Sequence, residues 1–291
     1  MKCEKCDNNA VISEPCLCKQ HYMEWFESTV ESTISNHNLL LHDERIAVAC
    51  SGGKDSTSIL YMLKKLGYNP DAIAIDEGIP GYRDSTLEDL KLFCDSNDIS
   101  LKTFSFSSDF GFQLQDVRSK MDSAPCKSCG ILRRYLLNKY SFGYDKIVTG
   151  HNLDDEFQNI VMNVLKSNVD VLMRLGPVTG HKAQDGFVQR VKPLYFVTEK
   201  QVLTYSLLKG FNIHYTECPN ASLGYRTRIR DLFFQLEESI PGLRKNSVES
   251  FLSLTTDSEP NISSPQRCEK CNMPSKGKIC SACATVEKLS A

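Results

Sequence analysis

Residues 46–66 read IAVACSGGKDSTSILYMLKKL, an apolar run followed by a glycine-rich segment and then by apolar residues at helical spacing. This order predicts a buried strand, a glycine turn and the first turn of a helix. Glycine lets a ligand approach the backbone, and the free N–H groups and dipole of a helix N-terminus favour an anion. The spacing fits neither the Walker pattern nor the dinucleotide fingerprint. The segment Ser51–Thr57 therefore predicts a phosphate-binding loop of another kind.

Strands and helices continue to alternate after this segment. Strands are predicted at Asp71–Asp76, Leu101–Phe106 and Lys146–Thr149, and helices at residues 84–96 and 153–165. Such alternation predicts an α/β fold, a Rossmann-like parallel sheet with helices on both faces. Ligands of these sheets bind beyond the carboxyl ends of the strands.

Two further polar segments follow predicted strands, and we expect them to lie near the glycine-rich loop. One begins at Asp76, and the other runs from Gly150 to Glu156. Asp154 and Asp155 open a helix, where carboxylates favour the helix dipole. Beside a phosphate loop, however, a pair of carboxylates is also suited to hold Mg²⁺ together with substrate phosphates. We favour this second interpretation.

Length, charge and hydropathy narrow the class of protein. The chain has 291 residues, enough for one large domain with small additions, and its 34 basic and 36 acidic residues nearly balance. Global charge therefore does not indicate a nucleic-acid partner, and any such surface must be a local patch. No apolar run approaches the ~20 residues that cross a bilayer, and the N-terminal sequence does not resemble a signal peptide. We expect a cytoplasmic protein without a membrane segment.

Cysteines cluster at both ends of the chain with the spacing of structural zinc sites. The N-terminal ligands are predicted to be Cys3, Cys6, Cys18 and His21, and the C-terminal ligands Cys268, Cys271, Cys280 and Cys283. The predicted organisation is accordingly a zinc finger at 1–23, a catalytic domain at 24–254, a polar linker at 255–267 and a four-cysteine zinc ribbon at 268–291.

Three more cysteines lie in the central part of the chain. Cys126 and Cys129 form a C-x-x-C pair, and Cys218 follows far downstream. Three thiolates could be a redox pair with a bystander, a three-thiolate zinc site or the ligands of an iron–sulfur cluster, and spacing does not choose among these. A cluster held by three cysteines would keep one iron open for an exogenous ligand. Arg133 and Arg134, about one turn later, would offset thiolate charge or contact RNA phosphate.

These motifs resemble those of a known family. The segment Ser51–Ser56 is similar to the PP-loop of ATP pyrophosphatases, which cleave ATP between its α and β phosphates. A PP-loop, a C-x-x-C pair with a distant third cysteine, and zinc modules at both ends together resemble the TtuA-type tRNA 2-thiolation enzymes. The resemblance covers nearly the whole chain.

The resemblance implies both cofactors and site residues. It implies a [4Fe-4S] cluster on Cys126, Cys129 and Cys218, with the fourth iron free to carry sulfide. It also implies contacts to ATP, with Mg²⁺, from Ser51, Gly52, Gly53, Lys54, Asp55, Ser56, Ile75, Gly150 and Asp155. Related enzymes carry a lysine near the C-x-x-C helix where this chain has arginines. Because arginine does not deprotonate, the role of Arg133 is left open.

The predicted reaction is tRNA 2-thiolation. ATP would adenylate the C2 oxygen of a uridine, which we expect to be the wobble uridine, and sulfur would then displace AMP. Asp55 would bind Mg²⁺ or move a proton. Arg226, Arg228 and Arg230 are expected to contact RNA phosphates. The sulfur donor is predicted to be sulfide or a ubiquitin-like thiocarboxylate carrier, and the enzyme a homodimer.

Three alternatives remain open from the sequence. The first is thiolation of the T-loop uridine. The second is a PP-loop enzyme that adenylates a small molecule and holds zinc at the central cysteines. The third is a non-catalytic tRNA-binding subunit, against which the intact loop and the three central cysteines count.

Overall fold

A computed structural model describes residues 1–120, 125–180, 187–221, 224–255 and 266–290. Its strands form three sheets. The small ones are antiparallel pairs at the two ends of the chain, and the large one has six strands. The strands are β1 (Ile12–Ser13), β2 (Cys16–Leu17), β3 (Ile46–Cys50), β4 (Pro70–Asp76), β5 (Leu101–Ser105), β6 (Lys146–Thr149), β7 (Val178–Thr179), β8 (Gln189–Val191), β9 (Gln266–Arg267) and β10 (Pro274–Ser275).

Eleven α-helices and one short 3₁₀ helix (Arg118–Lys120) lie within the described ranges. The α-helices are α1 (Lys19–Asn36), α2 (Lys54–Lys65), α3 (Arg83–Ser96), α4 (Phe106–Phe110), α5 (Cys126–Tyr140), α6 (Leu153–Leu165), α7 (Val169–Leu172), α8 (Glu199–Lys209), α9 (Tyr225–Ser239), α10 (Leu243–Thr255) and α11 (Ser281–Ser290).

The central sheet has the order β5-β4-β3-β6-β8-β7. The first five strands in that order pair in parallel, and β7 runs antiparallel to β8 at the edge. After β3 the chain builds outward through β4 and β5, and then returns to place β6 on the other side of β3. This change of direction leaves a crevice beyond the carboxyl ends of β3 and β6, where ligands of open α/β sheets bind. The predicted α/β fold is confirmed.

Both faces of the sheet are covered, because alternate residues of its strands enter different cores. Ile46, Val48 and Cys50 of β3 pack into a core shared with α1, α2 and α8. Ala47 of the same strand packs into a second core, which includes Leu132 of α5. A third cluster joins α6 and α10.

The C-terminal module packs directly on α5. Cys268, Cys280 and Leu289 of this module share the second core with Leu132 and Leu136 of α5, and all five are buried. Of the predicted linker, residues 256–265 lie outside the described residues; Thr255 ends α10 and residues 266–267 form β9. In the described ranges, no helix combines the length and the apolar character that a membrane span needs.

Candidate functional site

The phosphate loop joins β3 to α2 as predicted. Gly52 has φ +80°, and a Cβ added to it would lie 2.0 Å from the carbonyl oxygen of Thr86. Only glycine fits this position. The Ser51 N–H donates to Ser56 Oγ at 3.2 Å, and the Gly53 N–H donates to Ser51 Oγ at 3.3 Å. The two hydroxyls therefore lie at the mouth of the loop beside the N-terminus of α2, which suits them to an anion.

Gly150 brings the end of β6 against the loop. A Cβ at this residue would lie 2.9 Å from both the Asp55 carbonyl carbon and the Ser56 nitrogen. The absence of a side chain here lets the two strand ends approach each other. The structure thus brings the predicted residues of the loop and Gly150 together in the crevice.

Asp55 is the charged group at the centre of this crevice. Lys54 Nζ lies 2.9 Å from Asp55 Oδ2 and 3.0 Å from Glu199 Oε1, and Asn152 donates to Asp55 Oδ1 at 3.1 Å. Burial raises the pKa of Asp55, Lys54 opposes that rise, and the neighbouring Asp155 adds to it. Two carboxylates that disfavour each other's charge suit a divalent cation.

The two aspartates that open α6 have different partners. Asp155 caps the helix together with Asn152, and its Oδ1 lies 3.0 Å from Nη1 of Arg226. Asp154 is buried and turns away, accepting from the Glu199 N–H at 2.6 Å and pairing with Arg244. Asp154 therefore holds α8 and α10 in place. The acidic pair in the crevice is Asp55 with Asp155, in place of the expected Asp154 with Asp155.

We predict that Asp55→Asn raises the thermal unfolding midpoint at pH 7. The folded-state pKa of Asp55 is raised, so its ionisation costs stability once the pH exceeds the unfolded value of about 3.9. The gain should be present at neutral pH and should vanish near pH 4, and Lys54 keeps Glu199 as a partner in the variant. Calorimetry between pH 4 and pH 8 measures it.

Asp71→Asn is the matched control with the opposite sign. Burial would raise the pKa of Asp71, but hydrogen bonds from Tyr144 and Lys102 outweigh burial and lower it. Asp71→Asn should therefore lower the midpoint at neutral pH, and the loss should shrink as the pH falls towards the acid range. Equal signs for the two variants would contradict the assignment.

The three central cysteines lie around one position, although their thiols do not crowd together. Cys126 opens α5, and its Sγ donates to the carbonyl oxygen of Asn220 at 3.3 Å. The backbone N–H of Asn220 in turn faces the sulfur of Cys218. Burial and the charge of Glu77 raise the pKa of Cys129 to about 12, while Arg133 opposes the rise.

The spacing of these thiols distinguishes them from the cysteines at the chain ends. With Zn–S bonds of about 2.3 Å, the ligands of one tetrahedral zinc ion stand ~3.8 Å apart. Among the described residues, two sets have all ligand atoms within 4.8 Å of one another, and the central cysteines form neither. At least one pair of the three central sulfur atoms is therefore more than 4.8 Å apart. As placed in this structure, the three thiols do not form a compact site for a single zinc ion.

The terminal cysteines form two compact sets of four ligands. The sets are Cys3, Cys6, Cys18 and His21, and Cys268, Cys271, Cys280 and Cys283, as predicted. Sulfur atoms in each stand 3.7 Å apart, between Cys6 and Cys18 in one and between Cys271 and Cys280 in the other. Cys16 lies outside the first set and donates to the carbonyl of Lys2. Each set fits one four-coordinate metal ion.

Two residues that the sequence analysis did not single out connect the loop with the cysteines. Arg83 donates to the carbonyl oxygens of Ser51 and Ile75, and its Nε lies 3.1 Å from Glu77 Oε2. Glu77 Oε1 lies 3.4 Å from Nη1 of Arg133. The one signal in the sequence was the place of Glu77, directly after a buried strand. Because the Ile75 carbonyl is occupied by Arg83, its predicted contact with ATP stays a prediction.

The arginines of α9 have different surroundings. Arg226 contacts Asp155 and Asn159, and Arg230 pairs with Glu217 and Asp231. Arg228 is exposed and, among the described residues, has no ion-pair partner. Of the three predicted phosphate contacts, Arg228 is therefore the one most accessible to a polyanion.

The chain is similar to known proteins over most of its length. A family model described as a PP-loop domain matches residues 23–236. The tRNA-5-methyluridine(54) 2-sulfurtransferase of Pyrococcus horikoshii is 38% identical over 97% of this chain and 93% of its own length. The protein of the same name from Thermus thermophilus is 32% identical over 97% of this chain and 90% of its own.

One solved structure is similar over almost the whole chain. It is the U34-tRNA thiolase NcsA from Methanococcus maripaludis with its [4Fe-4S] cluster. The TM-score is 0.84 with 29% sequence identity, and the match covers 99% of this chain and 96% of the thiolase.

Proposed function

Since this chain belongs to the PP-loop family and, within it, to the tRNA 2-sulfurtransferases, we propose that it replaces the C2 oxygen of a tRNA uridine by sulfur with ATP. The observation that carries the proposal is the arrangement of two sites in one crevice. Arg83 contacts both the phosphate loop and Glu77, and Glu77 contacts Arg133, one helical turn after Cys129.

The phosphate loop serves the first half of the reaction. Uridine C2 oxygen attacks the α-phosphate, and pyrophosphate leaves. The hydroxyls of Ser51 and Ser56 and the backbone amides at the start of α2 hold the leaving group, as a helix N-terminus holds phosphate. Asp55 and Asp155 would hold Mg²⁺, which would offset the repulsion between the two carboxylates and neutralise charge on the nucleotide phosphates.

The central cysteines serve the second half. Cys126, Cys129 and Cys218 would hold a [4Fe-4S] cluster, since they offer three thiolates and the similar U34-tRNA thiolase carries such a cluster. Bound there, the cluster would supply an iron open to an exogenous sulfur ligand. That sulfur would replace the activated C2 oxygen, which leaves with AMP. Arg133, half-exposed beside Cys129, stabilises negative charge near the thiolates and keeps its proton throughout.

The substrate uridine must leave its stack to enter the crevice, so a nucleotide in a tRNA loop is favoured. Exposed cations around the crevice, Lys127, Arg134 and Arg228, would bind neighbouring phosphates. The wobble uridine stays our first candidate, supported by the likeness to the U34-tRNA thiolase. The T-loop uridine is the second candidate, supported by the names of the two relatives with higher identity.

Further parts of the proposal concern metals, donor and assembly. Each terminal set of four ligands holds one structural Zn²⁺, which its compact spacing supports. The sulfur donor is sulfide or a small thiocarboxylate carrier, and the enzyme acts as a homodimer in the cytoplasm. The proposed domains are the zinc finger at 1–23, the catalytic domain at 24–254, the linker at 255–267 and the zinc ribbon at 268–291.

Thiolation of defined transcripts tests this function. Protein prepared without oxygen is incubated with ATP, sulfide and a tRNA transcript, and 2-thiouridine is quantified by mass spectrometry. Parallel transcripts carry cytidine at position 34 or at position 54. Loss of product with one of the two transcripts identifies the uridine. ATP turnover without tRNA and no thiolated product would instead indicate a small-molecule adenylating enzyme.

A further inference from the structure

Two buried charged side chains lie between the phosphate loop and the cysteines, and the chemistry proposed above assigns neither of them a step. Arg83 is 3% exposed and Glu77 is 4% exposed. Buried charges are costly unless they are paired and hydrogen-bonded. Their contacts therefore show what these residues hold in place.

Arg83 holds the ends of two neighbouring strands. Its Nη1 donates to the carbonyl of Ser51, in the phosphate loop after β3, and its Nη2 donates at 2.7 Å to the carbonyl of Ile75 in β4. Its Nη1 also donates to Thr86 Oγ1 at 3.3 Å, and its Nε lies 3.1 Å from Glu77 Oε2. Because the Arg83 guanidinium is planar and rigid, any shift of the loop on binding nucleotide would move the whole guanidinium.

Glu77 extends this connection to the cysteines. Its second oxygen lies 3.4 Å from Nη1 of Arg133, whose side chain is 49% exposed. Arg133 stands one helical turn after Cys129, so the two side chains share a face of α5. A half-exposed arginine is solvated without a partner, and the buried Glu77 carboxylate has Arg83 as its second partner. The contact therefore orients the Arg133 guanidinium towards Glu77.

We propose that Glu77 is a positioning residue that couples nucleotide binding at the phosphate loop to the metal group at the central cysteines. Arg83 transmits the position of the loop to Glu77, and Glu77 sets how closely the Arg133 guanidinium approaches Cys129. The inference rests on the proposed function, since it requires both sites to be in use. Coupling of this kind is reciprocal, so it is measurable from either site.

The experiment uses the full-length protein with and without its iron–sulfur cluster. The probe is α,β-methylene-ATP, which cannot release pyrophosphate, and its dissociation constant is measured by calorimetry. In the wild type we expect the loaded and unloaded proteins to differ by about fivefold or more. We also expect the nucleotide to shift the electron paramagnetic resonance signal of the reduced cluster. In Glu77→Gln the dissociation constants of the loaded and unloaded proteins should differ by no more than about twofold, and the signal shift should disappear.

Asp109→Asn is the matched control. Asp109 is a buried carboxylate that pairs with the half-exposed Lys139 at 2.7 Å, on the same helix α5 but far from the cysteines. A general loosening of α5 would affect both variants, whereas the proposal requires that Asp109→Asn keep the wild-type ratio and signal shift. If Glu77→Gln does not fold or load, Arg133→Gln keeps the buried pair and should show the same loss.

The inference would be overturned if the loaded and unloaded wild type bound the nucleotide equally well and the nucleotide did not shift the paramagnetic resonance signal. It would also be overturned if a soluble Glu77→Gln protein kept both the wild-type ratio of dissociation constants and the signal shift. The thiolation assay separates this outcome from failure of the proposed function. If tRNA is thiolated but nucleotide binding and the cluster do not affect each other, the role of Glu77 is wrong and the proposed function stands. If they affect each other but no tRNA is thiolated, the proposed substrate is wrong and the role of Glu77 stands.

Discussion

Cys218→Ala is expected to remove iron and sulfur transfer together while leaving the metals at both chain ends. Cys218 reaches the cysteine site from a segment distant in sequence, and its sulfur faces the backbone of Asn220, which also contacts Cys126. With two thiolates left, both on one helical turn of α5, a cluster of several metal atoms loses the support of its opposite side. We expect thiolation to fall by about 100-fold or more, because the ligands act as a unit.

An iron, sulfide and zinc count on protein purified without oxygen measures this, together with the absorption spectrum. The proposal expects about four irons and two zincs per wild-type chain, and two zincs with little iron in the variant. The control is Cys94→Ala, which removes a buried thiol in the core on the other face of the sheet. It should keep its iron. Three zincs and no iron in the wild type would instead support the small-molecule adenylating enzyme.

Gly52→Ala is expected to abolish pyrophosphate release and to lower stability. The residue has φ +80°, which costs an alanine ~1–2 kcal/mol, and the added methyl would overlap the Thr86 carbonyl oxygen, 2.0 Å away. The loop must move away from α3 to relieve this overlap. Since a displacement of about 1 Å in a catalytic site can cost ~100-fold, we expect a loss of at least this size in tRNA-dependent pyrophosphate release.

Gly53→Ala is the control for this substitution. Gly53 has φ −87°, and an added Cβ would meet only Ser51 Oγ, at 3.5 Å. The unfolding midpoint of Gly53→Ala should stay near that of the wild type, whereas Gly52→Ala should lose several degrees. Equal losses of stability in the two variants would show that contact with Thr86 does not set the loop.

The parts of the site that depend on local spacing could be predicted from the sequence. Gly52 follows a strand and Ser56 lies in the first turn of the next helix, the order that makes an anion site. The spacing of two residues between Cys18 and His21 favours Cys18 over Cys16 as a ligand, and the compact ligand set includes Cys18. The fold class followed from the alternation of elements, since parallel strands need helical crossovers.

The parts that depend on distant partners could not be predicted. Asp154 and Asp155 cannot be told apart in the sequence, although successive residues of a helix point about 100° apart. Only the tertiary structure shows that Asp154 pairs with Arg244 and Asp155 with Arg226. The contacts of Arg83 with Ser51 and of Arg133 with Glu77 span 32 and 56 residues. Nothing in the local pattern indicates such pairs, because a charged residue is most often solvated.

The packing of α5 bears on what happens to the protein when a metal group at its cysteines is lost. Leu132 and Leu136 bury this helix in the second core, against which the C-terminal module also packs, and Cys126 and Cys129 lie at its N-terminal end. The two buried leucines hold the helix independently of any metal bound at those thiols. A helix held in this way is expected to keep its place when a metal group at those cysteines is lost, so the apoprotein should stay folded and able to bind the group again.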